Sequence, residues 1–133
     1  MDDKLNALDK LIEAVEAGTL KGTYDDLISF DRLCDAAIPQ DTRGLNVHAF
    51  EAYEGSLDAA LALHEALLPG WALERLTKWP GTNGQCTAYL WGTHEDDGER
   101  WHNAKDGRVD ANGPTPARAW LLAILRAYRS VQA

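Results

Sequence analysis

Trp71-Ala72-Leu73-Glu74-Arg75-Leu76-Thr77-Lys78-Trp79, then Cys86-Thr87-Ala88-Tyr89-Leu90-Trp91, then Thr115-Pro116-Ala117-Arg118-Ala119-Trp120 decide the fold of this chain. In the second stretch Cys86, Ala88 and Leu90 alternate with Thr87, Tyr89 and Trp91, the period of two that a strand imposes. Both sets are apolar, which predicts one face covered by helices and the other partly covered. The first stretch reads as a partner strand with an irregularity near Leu76. Between the two lies Pro80-Gly81-Thr82-Asn83-Gly84, a turn rich in residues that tolerate positive φ. Two further turn signals, Asp97-Gly98 and Asp106-Gly107, accompany short candidate strands around 100–104 and 108–111, giving an antiparallel meander of three or four strands. Thr115 caps a closing helix with Pro116 in its favoured first turn, and Trp120, Leu121, Ile124, Leu125 and Tyr128 are its inner face.

Upstream, Leu5, Leu8, Leu11, Ile12 and Val15 recur with helical spacing behind Asp2 or Asp3, and Gly18 stops that helix. Thr23 caps a second helix, with Asp25 and Asp26 in the first turn where the helix dipole favours negative charge. Its expected inner face is Leu27, Ile28 or Phe30, Leu33, Cys34, Ala37 and Ile38, and Pro39 closes it. Asp25, Asp26, Asp31 and Asp35 fall largely on the other side. Residues 40–55 read as irregular, with Leu45, Val47, Phe50 and Tyr53 as anchors. Ser56 caps a third helix whose expected inner face is Leu57, Ala60, Leu61, His64, Leu67 and Leu68, ended by Pro69-Gly70.

The prediction is therefore an α+β fold of one domain, residues 1–133. An acidic helical pair at 1–39 precedes a sheet-plus-helix body at 45–133. The pair lies either against the sheet's other side or projecting from the body. At 133 residues, with 45% hydrophobic and 26% charged side chains, the chain has an ordinary globular composition. It starts with no basic and apolar leader, so an intracellular, cytoplasmic protein is expected, with no membrane contact. Cys34 and Cys86 are far apart in sequence and read as small buried hydrophobes.

Charge is polarised. Residues 1–65 hold 14 Asp/Glu against 5 Lys/Arg, a net of −9, and residues 66–133 hold 7 against 8, a net of +1. Such a field repels phosphate backbones and disfavours direct nucleic-acid binding, while attracting a basic protein surface. The expected partner-binding residues are Asp25, Asp26, Asp31 and Asp35, with Glu13 and Glu16 nearby if the first two helices pair.

No catalytic signature is apparent, and no cofactor site. His94 and His102 flank the acidic turn Glu95-Asp96-Asp97-Gly98-Glu99, but HExxH and CxxC spacings are lacking, and a solvated hairpin tip explains the run. Ser29, Ser56 and Ser130 lie in no nucleophile elbow. His64, between Leu63 and Glu65, reads as a boundary residue. Of the five tryptophans, Trp71, Trp91 and Trp120 read as core, and Trp79 and Trp101, in polar company, as the ones to be partly exposed.

Ser56-Leu57-Asp58-Ala59-Ala60-Leu61-Ala62-Leu63, Pro69-Gly70-Trp71 and Thr115-Pro116-Ala117-Arg118-Ala119 resemble the motifs of the phage ABA (alpha-beta-alpha) sandwich domain, a family of small phage and prophage proteins. The resemblance runs over roughly residues 53–129, and 33–38 is the stretch to compare with the family's first conserved helix. It implies a helix–sheet–helix fold and a phage or prophage origin. Its motifs are caps, turns and core positions, so it carries over no site residue. The leading expectation is a non-enzymatic accessory protein that binds a host protein, concretely an inhibitor of a host defence nuclease of the anti-CRISPR kind. A self-associating structural or assembly factor is the alternative, and a small metal-dependent enzyme centred on His94 and His102 the third reading.

Overall fold

The computed structural model describes residues 3–18, 20, 23–39, 44–78, 85–92 and 108–132. Among them are five helices, α1 (Asp3–Ala17), α2 (Tyr24–Ala37), α3 (Leu45–Tyr53), α4 (Leu57–Leu67) and α5 (Pro116–Gln132). Three strands, β1 (Ala72–Lys78), β2 (Cys86–Trp91) and β3 (Arg108–Gly113), lie between α4 and α5 and form one antiparallel sheet in the order β1-β2-β3. The predicted class, α+β with helices packed on a small antiparallel sheet, is the one observed.

Three caps work as the sequence predicts. Thr23 Oγ1 accepts from the Asp26 N–H at 3.2 Å, Ser56 Oγ from the Ala59 N–H at 3.1 Å, and Thr115 Oγ1 from the Arg118 N–H at 3.1 Å. Each satisfies a donor that the first turn of a helix leaves open, an effect of about 1 kcal/mol.

The sheet meets the helices through α5, which packs on all three strands and also against α1, α3 and α4. That double duty explains why α5 is buried nearly all round, from Ala117 and Ala119 through Trp120, Leu121, Leu122, Ala123, Ile124 and Leu125 to Ala127 and Tyr128. Full burial of each Leu or Ile contributes about 1.5–3 kcal/mol. Cys86, Ala88 and Leu90 of β2 belong to the same core, while Thr87, Tyr89 and Trp91 on the opposite face are half-buried. At Gly113 the β3 backbone passes so close to α5 that a Cβ would lie 2.8 Å from the Ala119 nitrogen.

Several expectations need correction. Residues 45–53, expected to be irregular, form helix α3, entered from Gly44 in the left-handed region at φ 70° with no side-chain cap. Leu45 and Tyr53 are buried as expected, but Val47 is 59% exposed and Ala49 and Ala52 take the inner positions. On α2 Leu27 and Ile28 are exposed, and Phe30 is the core residue. On α4 Leu57 and Leu61 are each 46% exposed, and Leu63 with Ala59 faces inward. Trp120 is core, but Trp71 and Trp91 are only half-buried. The strand irregularity falls between Leu73 and Arg75, ahead of Leu76. The candidate strand at 100–104, the hairpin with His94 and His102, Trp79 and Trp101 all lie outside the described residues.

The helical pair neither projects nor covers the far face of the sheet. Instead α1 packs on α5, and α2 on α1 and α3, in the helical layer. Leu8, Leu11, Val15, Phe30 and Cys34 join the same core cluster as the sheet and α5.

Candidate functional site

The acidic residues singled out in the sequence sit in three different settings. Asp31 and Asp35 are one turn apart on α2 and both exposed. The side-chain amide of Asn46, on α3, donates to both, at 2.9 Å to Asp31 Oδ1 and 2.8 Å to Asp35 Oδ1. An amide nitrogen has two hydrogens, and here one donor holds two like charges side by side. Without it, an i,i+4 carboxylate pair is mutually repulsive. Tyr24, 76% exposed, and Ile28, also exposed, lie on the same side of α2 as this pair.

Asp25 and Asp26 are elsewhere. At about 100° per residue, Asp26 is roughly 140° round the helix from Asp31, and Asp25 roughly 120° from it. Both occupy the first turn, where they complement the helix dipole. The four aspartates therefore do not form a single face.

Glu13 and Glu16 differ again. Glu13 is exposed on α1. Glu16 turns to α5 and forms an ion pair with Arg126, on the border of a polar cavity that also includes Gln85 and Asn112. Its neighbour two turns earlier, Asp9, is likewise bound by Arg129, whose guanidinium pKa the contact raises. The helices do pair, yet Glu16 is committed to α5 and not to the Asp31–Asp35 side.

Asn46 has no signal of its own in the sequence, because its stretch carries no helix cap and reads as loop. Its signal is positional: with 45–53 helical, Asn46 on α3 stands opposite the Asp31 and Asp35 turns of α2. Tyr24 is equally silent in the sequence, where it is one aromatic residue beside the two carboxylates that mark the first turn of α2.

Two other polar arrangements bear on chemistry. His64 is buried, not at the boundary: its Nε2 lies 2.9 Å from the Trp71 carbonyl oxygen, and its Nδ1 accepts from Trp120 Nε1–H at 3.0 Å. Both ring nitrogens are therefore used in packing the core. On the sheet's far face Arg75 and Arg108 lie over the Tyr89 ring, with Arg108 also over Trp91, and Trp91 Nε1–H donates to Glu74. Both cysteines are buried thiols, and neither forms a disulfide. Burial pushes the Cys34 thiol pKa well up, and the Asp31 and Asp35 carboxylates push it further, so it is held as a poor nucleophile. Among the described residues no group of three or more His, Cys, Asp or Glu side chains is placed to hold a metal ion. Among them, too, no helix is long and apolar enough to cross a membrane.

No protein-family model matches the chain, and neither the curated proteins nor the solved structures yield a match.

Proposed function

We propose that this chain is a phage- or prophage-encoded, non-enzymatic binding protein of the host cytoplasm. In this reading its α2 surface docks on a basic host protein, concretely as an inhibitor of a host defence nuclease of the anti-CRISPR kind. The observation that carries the reading is the Asp31–Asp35 pair held by Asn46 beside Tyr24 and Ile28. Two carboxylates about one helical turn apart imitate successive phosphates, and an exposed tyrosine beside them supplies the aromatic anchor on which interface energy concentrates. Because the pair is already fixed by a hydrogen-bond donor, little side-chain ordering is left to accompany binding.

The test is a pull-down from host lysate at low and moderate salt, followed by a nuclease assay with whatever nucleic-acid-processing complex is recovered. The wild-type chain is expected to capture and inhibit it, and Asp31→Lys with Asp35→Lys to abolish both while the circular-dichroism melt is unchanged. Asp25→Asn with Asp26→Asn is expected to change binding far less. Binding that survives reversal of Asp31 and Asp35 overturns the acidic-surface reading.

The second reading, a self-associating phage structural or assembly factor, draws on Leu57 and Leu61, exposed and one turn apart on α4. It predicts concentration-dependent oligomers in analytical ultracentrifugation that Leu57→Gln with Leu61→Gln disperses.

A further inference from the structure

The two edges of the sheet differ. β3 lies against α5, and its Asp110 carbonyl oxygen accepts from Arg126 at 3.2 Å. β1 is open: among the described residues its backbone bonds to nothing but β2. Leu73 faces the helical layer beside its buried cross-strand partner Leu90, yet is itself 36% exposed, because β1 is the outermost strand.

The open edge carries two charges that lack an ionic partner. Glu74 accepts from the Trp91 indole N–H and Arg75 lies over the Tyr89 ring, but neither forms an ion pair among the described residues. Although consecutive, both stand on the face turned away from the helices. The cause is the bulge: Leu73 is opposite Leu90 and Arg75 opposite Tyr89, so Glu74 is the extra residue. The faces along β1 therefore run Ala72 away from the helices, Leu73 toward them, Glu74 and Arg75 away, Leu76 toward and Thr77 away.

This order decides which strand fits. A bulge and edge charges ordinarily keep a foreign strand off. A regular strand laid on β1 comes out of face on one side of Glu74. A strand bulged at the mirrored place stays in face throughout, and β1 of a second copy is such a strand. With a two-fold axis between Glu74 and Arg75, Ala72 meets Thr77 of the second copy, Leu73 meets its Leu76, and Glu74 meets its Arg75. Each contact occurs twice. Every pair then matches in face, the leucine pairs are apolar, and the charged pairs are opposite in sign. Setting Glu74 or Arg75 against its own counterpart would oppose like charges and turn Leu73 or Leu76 against a residue of the other face.

We propose that the chain forms a two-fold dimer in which β1 pairs antiparallel with β1 of a second copy, making one continuous sheet. This surface deepens the self-association reading given above and rests on it. Because a two-fold contact uses the same edge on both copies, assembly closes at the dimer.

The test is analytical ultracentrifugation of the full chain and three variants over a wide range of concentration. Wild type is expected to pass from monomer to dimer and no further. Glu74→Arg sets arginine against arginine, and Arg75→Glu sets glutamate against glutamate. Each variant alone is expected to dimerise about tenfold more weakly, or worse. Mixed in equal amounts, the two are expected to recover the dimer as a heterodimer, since each arginine then meets a glutamate. Misfolded chains do not show such a gain. The double exchange, Glu74→Arg with Arg75→Glu, is expected to dimerise as wild type does. Wild type that is monomeric at every concentration overturns the pairing together with the self-association reading. Dimers that neither single variant weakens overturn the pairing alone and leave association to Leu57 and Leu61. Single variants that stay apart when mixed also overturn it.

Discussion

His64 sits between two tryptophans with one partner for each ring nitrogen, and their chemistry fixes its tautomer. An indole N–H only donates, so Nδ1 carries no proton, and Nε2–H donates to the Trp71 carbonyl. Long-range proton–nitrogen correlation is expected to show the Nε2–H form, and an Nδ1–H signal refutes the arrangement. Trp120→Phe leaves Nδ1 buried without a donor and is expected to cost about 1–3 kcal/mol in urea unfolding beyond its loss of packing. Cys34 makes a second prediction at this scale. Its thiol pKa is raised by burial first, then by Asp31 and Asp35. The folded chain therefore keeps a proton that the unfolded chain releases above about pH 8.5. This contribution to stability is complete below that pH and is lost as pH rises, with a slope approaching about 1.4 kcal/mol per pH unit. Urea titrations between about pH 8 and 10 are expected to show a steeper decline for wild type than for Cys34→Ala, and equal slopes refute it.

At the scale of elements, legibility in the sequence depends on whether a side chain announces the element. α1, α2, α4 and α5 have polar caps or breakers at their ends, and β2 has a clean alternation, so all are readable. α3 begins at a glycine, has no capping side chain and is only weakly amphipathic. Its inner face is built of Leu45, Ala49, Ala52 and Tyr53, and the alanines give no hydrophobic signal. The acidic site is readable as composition but not as geometry, since the Asn46 contact needs α3. The inner face of α4 is ambiguous in the sequence because Leu57, Leu61 and Leu63 all carry the same side chain, and only packing against α3 and α5 chooses among them. That choice has a measurable consequence. Leu63→Ala is expected to cost about 2–5 kcal/mol, the range for a leucine removed from a close-packed core. Leu61→Gln, on the exposed side, is expected to stay within about 0.5 kcal/mol of wild type. Comparable losses in the two variants would mean that α4 is rotated.

For the whole molecule, the question is whether the acidic N-terminal helices are an appendage or part of the body. α1 is bound to the last helix by polar ties along its length, Lys4 to Tyr128 and Gln132, Asp9 to Arg129 and Glu16 to Arg126. Such exposed pairs contribute little, about 0–1 kcal/mol each, and their role is to orient. Apolar burial contributes more. Leu8, Leu11 and Val15 are buried in the same cluster as α5 and the sheet, and Arg118 stacks on Tyr53, whose hydroxyl donates to the Leu20 carbonyl between α1 and α2. Removing the pair would strip one side of α5, so helices and sheet are expected to unfold together. Among the described residues the tryptophans are Trp71 just ahead of β1, Trp91 in β2 and Trp120 in α5, none of them in α1 or α2, whereas far-ultraviolet circular dichroism is dominated by the helices. Coincident midpoints from the two signals in urea are expected for one cooperative unit. An earlier loss of helical signal, with fluorescence unchanged, would make the acidic pair a separately folding arm and remove the rigid footing that Asp31 and Asp35 need.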